Sequence, residues 1–272
     1  MRLGTRGSAL ALAQAQLVAD ALGGDAELVK ITTAGDRGEG IGDKSRWVET
    51  IEAALLAGEL DLAVHSAKDV PGELGDGLAL AGALVREDPR DALVGFASLD
   101  DVPAGARIGT SSLRRRAQLA AVREDVEVVE VRGNVDTRLR KLADGEVDAL
   151  VLAAAGLRRL GRGDEIGALL DPSVFVPAPG QGVIAVEGRS IPDTLVDGVT
   201  DAALAAERHV VRELGATCYT PVGVHWDGDT IHAFVGRPDG SAWVRDAVSG
   251  DGAPELLVER LRSLGAMELL GA

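Results

Sequence analysis

Apolar and polar positions alternate along about the first 190 residues in a pattern that predicts an α/β fold. Six apolar runs have the length of strands, and several have the continuous character of strands buried on both faces: "AELVKITT", "LDLAVHS", "LALAGALV", "DALVGF", "VEVVEVR" and "DALVLAA". Amphipathic segments predict helices that begin after the N-cap candidates Ser8, Ser45, Ser112 and Asn134. Glycines occupy C-cap positions at Gly23, Gly58 and Gly145. The alternation predicts largely parallel sheets.

A weak internal repeat indicates that the chain contains two related halves. The segment "RLGTRGSAL", from Arg2, resembles "RIGTSSLRR", from Arg107, and "GELDLAVHSAKD", from Gly58, resembles "GEVDALVLAAAG", from Gly145. Chance similarity is the alternative, but the two pairs occur in the same order. A duplicated α/β unit predicts two lobes around a cleft. Strand ends and helix N-termini then point into the cleft, where anions bind well.

The composition changes near Asp201 and predicts a small α+β domain in the last part of the sequence. The helical segment "DAALAAERHVVRELG" precedes "TPVGVHWDGDTIHAFVGRPDGSAWVRDAV". This second segment has the pattern of antiparallel strands, with a turn at "RPDGS". A final helix is predicted through "APELLVERLRSLG".

Charge, hydropathy and cysteine content narrow the class of protein. The formal net charge is −15, and no apolar run reaches the ~18 residues that a membrane span needs. The N-terminal segment predicts a strand and an amphipathic helix rather than a signal peptide. A single cysteine forms no internal disulfide, and no spacing of cysteine and histidine indicates a zinc site. We therefore expect a soluble cytoplasmic protein with no membrane partner and no metal.

The basic residues are distributed unusually for so acidic a chain, because four are lysine and 24 are arginine. Nucleic-acid binders usually carry a basic face, so this charge balance disfavours a nucleic-acid partner. The planar arginine fork suits oriented carboxylates, which favours a small polyanionic ligand. Each arginine taken alone is also compatible with an ordinary surface position. The arginines that follow predicted strands, and so lie at the expected cleft edge, are Arg6, Arg114, Arg115, Arg132, Arg138 and Arg159.

Two further positions carry candidate chemistry. Lys68 and Asp69 directly follow a buried strand, so a carboxylate beside an ammonium group is expected to face the cleft and to stabilise a developing cation. A turn aspartate before Pro71 is the alternative. Cys218 is predicted to lie in a loop, where its polar neighbours favour exposure over the buried role usual for a lone cysteine. His65, inside an apolar run, is interpreted as a hydrogen-bonded core residue.

Seven long segments follow one another along the chain: "GTRGSALAL", "DLAVHSAKDVP", "REDPRDAL", "GTSSLRRRAQL", "VRGNVDTRLRKL", "LAAAGLRRLG" and "PAPGQGVIAVE". In this order they resemble the hydroxymethylbilane synthase family, whose members are also called porphobilinogen deaminases. The resemblance implies a monomeric enzyme with two α/β domains similar to periplasmic binding proteins and a small C-terminal α+β domain. It implies domain 1 at residues 1–86 and 181–199, domain 2 at 87–180 and domain 3 at 200–272.

The chemistry implied by this resemblance explains the arginines. Enzymes of this family deaminate porphobilinogen, a pyrrole with an acetate and a propionate, and add it head to tail to a dipyrromethane primer. The primer is the cofactor, and a thioether joins it to a cysteine. Four rounds build a chain that is hydrolysed off as hydroxymethylbilane. Because each ring adds two carboxylates, the resemblance implies a cationic cleft in which "SSLRRR" acts as a carboxylate clamp.

The resemblance implies a role for each matching residue. Asp69 matches the catalytic aspartate, which also contacts the cofactor, and Cys218 matches the cysteine that carries the dipyrromethane. The other cofactor-binding matches are Lys68, Thr110, Ser112, Arg114, Arg115 and Arg132. The substrate-binding matches are Arg6, Ser8, Arg132, Arg138, Arg159 and Gln181.

Two segments depart from the family's pattern. The loop after the second strand commonly has glycine pairs around a lysine and then a phenylalanine, whereas "GIGDKSRWVETIE" keeps Lys44 and has Trp47 at the aromatic position. A lid role for this loop is therefore not carried over. "GATCYTP" keeps the cysteine and the proline but lacks the second glycine.

Two other classes of protein remain as alternatives, a receptor of periplasmic type for a small anion and a two-lobed transferase acting on a phosphorylated sugar. Neither accounts for Asp69 and Cys218 together.

Overall fold

A computed structural model of the chain describes residues 1–32, 45–217 and 219–271. The first elements are β1 (Arg2–Arg6), α1 (Ala9–Ala21), β2 (Glu27–Ile31), α2 (Ser45–Leu56), β3 (Leu62–Ser66) and β4 (Ala79–Ala83). Next come β5 (Asp91–Val94), β6 (Arg107–Gly109), α3 (Leu113–Val122), β7 (Glu127–Val129), α4 (Val135–Ala143), β8 (Ala149–Ala153), α5 (Ala154–Arg159) and β9 (Ala168–Leu169). The last are β10 (Ile184–Gly188), α6 (Gly198–Glu213), β11 (Val222–Trp226), β12 (Thr230–Gly236), β13 (Trp243–Ser249), α7 (Ala253–Ser263) and α8 (Ala266–Leu270).

Within the part of the chain that the structure describes, two five-stranded sheets share one plan. The first has the order β2-β1-β3-β10-β4, and the second has the order β7-β6-β8-β5-β9. In each sheet the first three strands are parallel neighbours, and the fourth strand is antiparallel to both of its neighbours. The shared order confirms that the two halves are related in plan. It also agrees with the expectation of largely parallel sheets, because four of the five strands in each sheet run in one direction and the fourth in the order runs against them.

Each sheet has this one antiparallel strand because the chain crosses twice between the two sheets. β5 follows β4 in sequence but joins the second sheet, and β10 follows β9 but returns to the first. Each crossing strand therefore enters its new sheet antiparallel to β8 or β3. A continuous apolar run looks the same whether its strand is parallel or antiparallel to its neighbours. The sequence pattern therefore did not predict the antiparallel direction of β5 and β10. We call the two halves, each built around one sheet, the first lobe and the second lobe.

Local hydrogen bonds explain where several helices begin and end. Ser8, Ser112 and Asn134 each accept a hydrogen bond from the backbone N–H three residues on, at 3.2, 3.4 and 2.9 Å, which confirms them as N-caps. Helix α2 begins at Ser45 itself. The glycines predicted at C-cap positions have φ values of 88°, 73° and 73°, a left-handed conformation that side chains disfavour: Gly23, Gly58 and Gly145.

The last part of the chain forms the small α+β unit that the sequence predicted. Strands β11, β12 and β13 make an antiparallel sheet. The predicted turn between β12 and β13 is closed by a hydrogen bond from Arg237 N–H to the carbonyl oxygen of Ala242, at 2.8 Å, and Gly240 has a φ of 72°. Apolar residues of α6, α7 and this sheet form one buried cluster.

Each lobe has its own apolar core around its sheet. Leu3, Leu62 and Ile184, from three neighbouring strands, belong to one cluster in the first lobe. Leu93 and Ile108 belong to a cluster in the second lobe. Within the described ranges, no helix has both the length and the apolar character needed to cross a bilayer.

Candidate functional site

Three of the predicted site residues meet at the carboxyl ends of β1 and β3. Arg6 is the last residue of β1, Ser8 is the N-cap of α1, and Asp69 ends the 3₁₀ turn Ala67–Asp69 that follows β3. These side chains line a single cavity of about 100 Å³. They converge because β1 and β3 are parallel neighbours, so that their carboxyl ends lie at the same edge of the sheet. The sequence predicted this edge as the site of ligand binding.

Polar side chains that form close pairs contribute to the wall of this cavity: Gln14, His65 and Ser66. Ser66 Oγ donates a hydrogen bond to Gln14 Oε1 at 3.0 Å. His65 is 8% exposed, and its Nε2 lies 3.0 Å from Oε2 of Glu187, whose side chain is fully buried. This arrangement confirms His65 as a core residue that faces a carboxylate, whereas its hydrogen bonding stays a prediction.

Gln181 links the two lobes beside the candidate site. Its Oε1 accepts hydrogen bonds from Lys68 Nζ at 3.3 Å and from Arg115 Nη2 at 3.4 Å. Its Nε2 donates to the carbonyl oxygen of Pro89 at 2.7 Å and to Asp91 Oδ1 at 2.9 Å. The side chain is 1% exposed. Lys68 of the first lobe and Arg115 of the second therefore meet on one amide oxygen.

The two adjacent arginines at the start of α3 share one buried aspartate. Arg114 contacts both carboxylate oxygens of Asp91, at 2.7 and 3.2 Å, and also donates to the carbonyl oxygen of Val176 at 2.7 Å. Arg115 Nε donates to Asp91 Oδ1 at 2.9 Å, and its Nη1 donates to the carbonyl oxygen of Val151 at 3.0 Å. The sequence did not predict these internal bonds. The contact of Arg114 and Arg115 with cofactor carboxylates stays a prediction.

The charges in this cluster determine its protonation. Burial by itself raises the pKa of Asp91, but the charges of Arg114 and Arg115, with hydrogen bonds from Arg114 and Gln181, outweigh burial and bring this pKa well below its usual range. Burial lowers the pKa of Arg114, and Asp91 opposes that effect. One carboxylate balances only one of the two guanidinium charges. The cluster therefore keeps a net positive charge beside the cleft, which attracts anionic ligands.

Arg138 carries further positive charge from the second lobe toward Asp69. Its Nε donates to the carbonyl oxygen of Gly133 at 2.8 Å, and its Nη2 donates to Ser111 Oγ at 3.0 Å. Burial, together with repulsion from Arg115, lowers the pKa of Arg138 to about 10, whereas the attraction of Asp69 raises it. The charge of Asp69, in the first lobe, therefore acts on Arg138 in the second lobe.

The remaining predicted arginines occupy different environments. Arg132 and its partner Glu130 are both more than half exposed, with Arg132 Nε 2.8 Å from Glu130 Oε1. Arg159 is half-buried, and its Nη2 donates to the carbonyl oxygen of Gly182 at 2.7 Å. Burial lowers the pKa of Arg159, and Glu87 opposes this effect. Arg132 thus remains open to solvent three residues beyond the end of β7, not at the strand end that the sequence predicted, while Arg159 bonds to the segment that returns to the first lobe.

Thr110 and Ser112 organise the junction from which Arg114 and Arg115 project. Thr110 is 4% exposed, and its Oγ1 accepts a hydrogen bond from the backbone N–H of Ser112 at 3.2 Å. Ser112 in turn caps α3 by accepting from Arg115 N–H. Both hydroxyls therefore have a structural partner, and their contact with a cofactor stays a prediction.

Three positions singled out in the sequence fall outside what the structure describes. Cys218 and Lys44 lie outside the described residues, and the side chain of Trp47 is likewise not described. Among the described residues, no group of three or more histidine, cysteine, aspartate or glutamate side chains has the arrangement of a metal site.

Two buried acidic residues that organise the site were not predicted from the sequence. Asp91 opens the buried run "DALV", and a charged residue at the start of such a run was the available signal. Glu207 lies on the buried face of α6 and forms an ion pair with Arg86, with 2.7 Å between Nη1 and Oε1. A carboxylate on an otherwise apolar helix face was the signal there, because buried charges are almost always paired.

The fold and the site define a two-lobed α/β protein whose cleft suits a ligand with several carboxylates. Comparison with known proteins narrows this class. A family model described as "Porphobilinogen deaminase, dipyromethane cofactor binding domain" matches residues 1–197. The chain is 45% identical to the porphobilinogen deaminase of Stenotrophomonas maltophilia, over 99% of this chain and 98% of that protein, and 44% identical to that of Roseiflexus castenholzii with the same coverage. The chain belongs to the porphobilinogen deaminase family.

Solved structures give a much looser match. The methionine-binding protein MetQ overlaps with this chain at a TM-score of 0.41 with 16% identity, over 76% of this chain and 87% of that one. An overlap this loose carries no information about what the chain binds. The full-length relatives are deaminases, so the comparisons do not favour the receptor alternative.

Proposed function

We propose that this chain converts porphobilinogen to hydroxymethylbilane by joining four substrate molecules head to tail on a dipyrromethane primer. Each round breaks the bond between the aminomethyl carbon and its nitrogen, releases ammonia and forms one carbon–carbon bond between successive rings. After four rounds, water cleaves the bond between the primer and the first substrate ring and supplies the hydroxyl group of the released product. Membership of the family supports this reaction class. The structural observation that carries the proposal is the convergence of Arg6, Ser8 and Asp69 on one cavity, because it combines a carboxylate with cationic and hydroxyl groups.

The side chains around the cleft have the chemistry needed to hold dipyrromethane carboxylates. Guanidinium and ammonium groups bind carboxylates strongly, and the pair of arginines on Asp91 leaves a net positive charge. When bound, the dipyrromethane supplies the terminal pyrrole carbon to which the first substrate is joined. The residues that we propose to hold it are Lys68, Asp69, Thr110, Ser112, Arg114, Arg115 and Arg132.

Asp69 is the proposed catalytic residue. Loss of ammonia leaves a positive charge on the substrate pyrrole, and an ionised carboxylate near the pyrrole N–H stabilises that charge. The same carboxylate accepts or relays the proton that leaves after ring joining. The proposed binding residues for the acetate and propionate of the substrate are Arg6, Ser8, Arg132, Arg138, Arg159 and Gln181.

Cys218 is the proposed attachment point of the primer through a thioether. It is the sole cysteine of the sequence. Helix α6 ends at Glu213, so the chain leads from this helix to Cys218 within five residues. Its thiolate is the nucleophilic form in which a cysteine forms such a bond.

We also propose the domain ranges 1–86 with 181–199, 87–180 and 200–272 for a monomer that acts in the cytoplasm. The return of β10 to the first sheet supports the split of the first domain. The separate antiparallel sheet of β11 to β13 supports the third.

Incubation of the purified protein with porphobilinogen tests the proposed function. We expect substrate consumption with release of one ammonia per ring, and a product with the mass of hydroxymethylbilane. Arg116→Lys, at an exposed position on α3, is the matched control and is expected to react at the wild-type rate. If wild-type protein that carries the primer leaves porphobilinogen unchanged, the proposal is wrong.

A further inference from the structure

Helix α6 contacts the candidate site through two adjacent side chains. Glu207 bonds to the loop before Gln181, and Arg208 bonds to the loop after Asp69. The same helix contributes to the apolar core of the third domain and ends five residues before Cys218 in the sequence. One rigid element therefore connects the candidate catalytic loop with the segment that contains the cysteine.

Arg208 binds three successive backbone carbonyls directly after Asp69. Its Nη2 donates to the carbonyl oxygens of Pro71 and Gly72 at 2.7 and 2.9 Å, and its Nη1 lies 3.5 Å from the carbonyl oxygen of Val70. Hydrogen bonds from a charged donor are shorter and stronger than neutral ones. A planar guanidinium reaches several acceptors at once, which the single ammonium of a lysine does not reproduce.

The position of Asp69 depends on the chain on both sides of it. Asp69 ends a single 3₁₀ turn, closed by a hydrogen bond from Val70 N–H to the carbonyl oxygen of Ala67 at 3.1 Å. A single turn of this kind has poor hydrogen-bond geometry and no continuing ladder. Strand β3 fixes the chain before the turn, and Arg208 fixes the three residues after it.

The part of α6 that carries Arg208 is fixed by the contacts of the neighbouring residue, Glu207. The fully buried carboxylate of Glu207 pairs with Arg86 at 2.7 Å and accepts hydrogen bonds from the backbone N–H groups of Gly180 at 2.6 Å and Trp226 at 2.8 Å. These partners come from the first lobe, the returning segment and the third domain. The helix therefore gives Arg208 a fixed origin from which to position the loop.

We infer that Arg208 is a positioning residue, which sets the place of the Asp69 carboxylate by holding the carbonyls of residues 70–72 against α6. This inference rests on the proposed function, in which Asp69 acts on the cationic substrate pyrrole. A displacement of about 1 Å in a reacting group lowers the rate up to ~100-fold. Substrate carboxylates are held by other residues, so loss of Arg208 lowers kcat and leaves KM nearly unchanged.

The first test compares variants on the same helix. We expect Arg208→Gln to lower kcat by about 10- to 100-fold, and Arg208→Lys to give an intermediate rate because one hydrogen bond is retained. Arg212→Gln, one turn further along α6 at an exposed position, is the matched control and is expected to keep the wild-type kcat. A loss confined to KM, or an equal loss in the control, overturns the inference.

A double-mutant cycle separates positioning of Asp69 from a general structural role. If Arg208 acts through Asp69, Arg208→Gln has little further effect on kcat once Asp69 is replaced by asparagine. We therefore expect kcat of the double variant to be less than about threefold below that of Asp69→Asn alone. If the fold-losses in kcat of the two single variants multiply in the double variant, the inference is wrong, because Arg208 then contributes independently of Asp69. Arg208→Lys in place of Arg208→Gln completes the cycle if the glutamine variant does not fold.

Hydrogen exchange provides a readout that needs neither cofactor nor turnover. In Arg208→Gln we expect faster exchange of the Val70 amide, whereas the helical amides around Arg208 keep their protection. Unchanged exchange at Val70 overturns the inference even if kcat falls. If wild-type protein does not react with porphobilinogen, the proposed function fails while this measurement still decides whether Arg208 holds the loop.

Discussion

Asp91 and Arg114 form a two-pronged ion pair in which both side chains are withdrawn from solvent. The distances are 2.7 and 3.2 Å, and the side chains of Asp91 and Arg114 are 0% and 5% exposed. The same carboxylate serves Arg115, so one residue neutralises part of the charge of both arginines. Removal of the carboxylate leaves two buried guanidinium groups without their counter-ion, and buried unpaired charges are strongly unfavourable.

We therefore expect Asp91→Asn to lower the free energy of unfolding by about 3–5 kcal/mol, the usual cost of breaking a buried pair from one side. Urea unfolding measures this change. The control is Glu130→Gln, which breaks the exposed pair with Arg132 and is expected to cost less than about 1 kcal/mol. Similar costs for the two substitutions contradict the assignment of Asp91 as the buried counter-ion.

The contribution of Asp91 also predicts a pH dependence. The pKa of Asp91 is lower in the folded chain than its usual value, so its ionised form stabilises the folded state above the unfolded pKa of about 3.9. This stabilisation is lost as the pH falls through the lower folded pKa. The difference in unfolding free energy between wild type and Asp91→Asn is therefore expected to stay constant from about pH 5 to 8 and to shrink below about pH 4. A difference that grows toward acid pH has the wrong sign for this mechanism.

Substitutions at Asp69 test whether its charge is what the reaction needs. Asp69→Asn keeps the size and hydrogen bonding of the side chain but removes the charge, so we expect a loss in turnover of about 10²–10⁴-fold. Asp69→Glu keeps the charge, displaced by one methylene group, and is expected to retain more activity than the amide. Turnover is measured on folded, cofactor-loaded protein. Equal rates for the two variants show that charge is not the contribution of this position.

Arg132→Lys tests the guanidinium geometry at the exposed edge of the second lobe. The substitution keeps the charge and loses the fork, so we expect a loss in turnover above ~10-fold, from the ~1.5–3 kcal/mol typical of hydrogen bonds to charged groups. Arg116→Lys is the matched control. A near-normal rate for Arg132→Lys returns Arg132 to the role of a surface arginine paired with Glu130.

The intact mass of the denatured protein tests the attachment of the primer. We expect the wild-type chain to be heavier than its sequence by one dipyrromethane, and Cys218→Ala to have the plain sequence mass. A wild-type protein of plain mass that nevertheless turns over porphobilinogen contradicts covalent attachment at Cys218.

The sequence by itself determined the fold class, the repeated plan and the family. The periodicity of apolar residues predicted the strands and the helices, and the preference of serine and asparagine for N-cap positions predicted caps such as Ser8 and Asn134. Both kinds of signal depend on residues that are close in sequence. The expected cleft edge also followed from the order of elements, since residues that end parallel strands meet at one side of the sheet. Arg6 and Asp69 were predicted together for this reason.

Only the tertiary structure decided how the charged residues are paired. Arg114, Arg115 and Arg116 are adjacent in sequence, yet the first two point inward to Asp91 and the third faces solvent. Successive side chains on α3 point in different directions, so the first two reach Asp91 and the third does not. Gln181, which is distant in sequence, packs beside Asp91 and completes this set of partners. Arg208 is likewise 139 positions beyond Asp69 in the sequence, and its contact with the loop there arises from the docking of α6. Pairing over such separations depends on how sheets and helices pack, which local patterns do not encode.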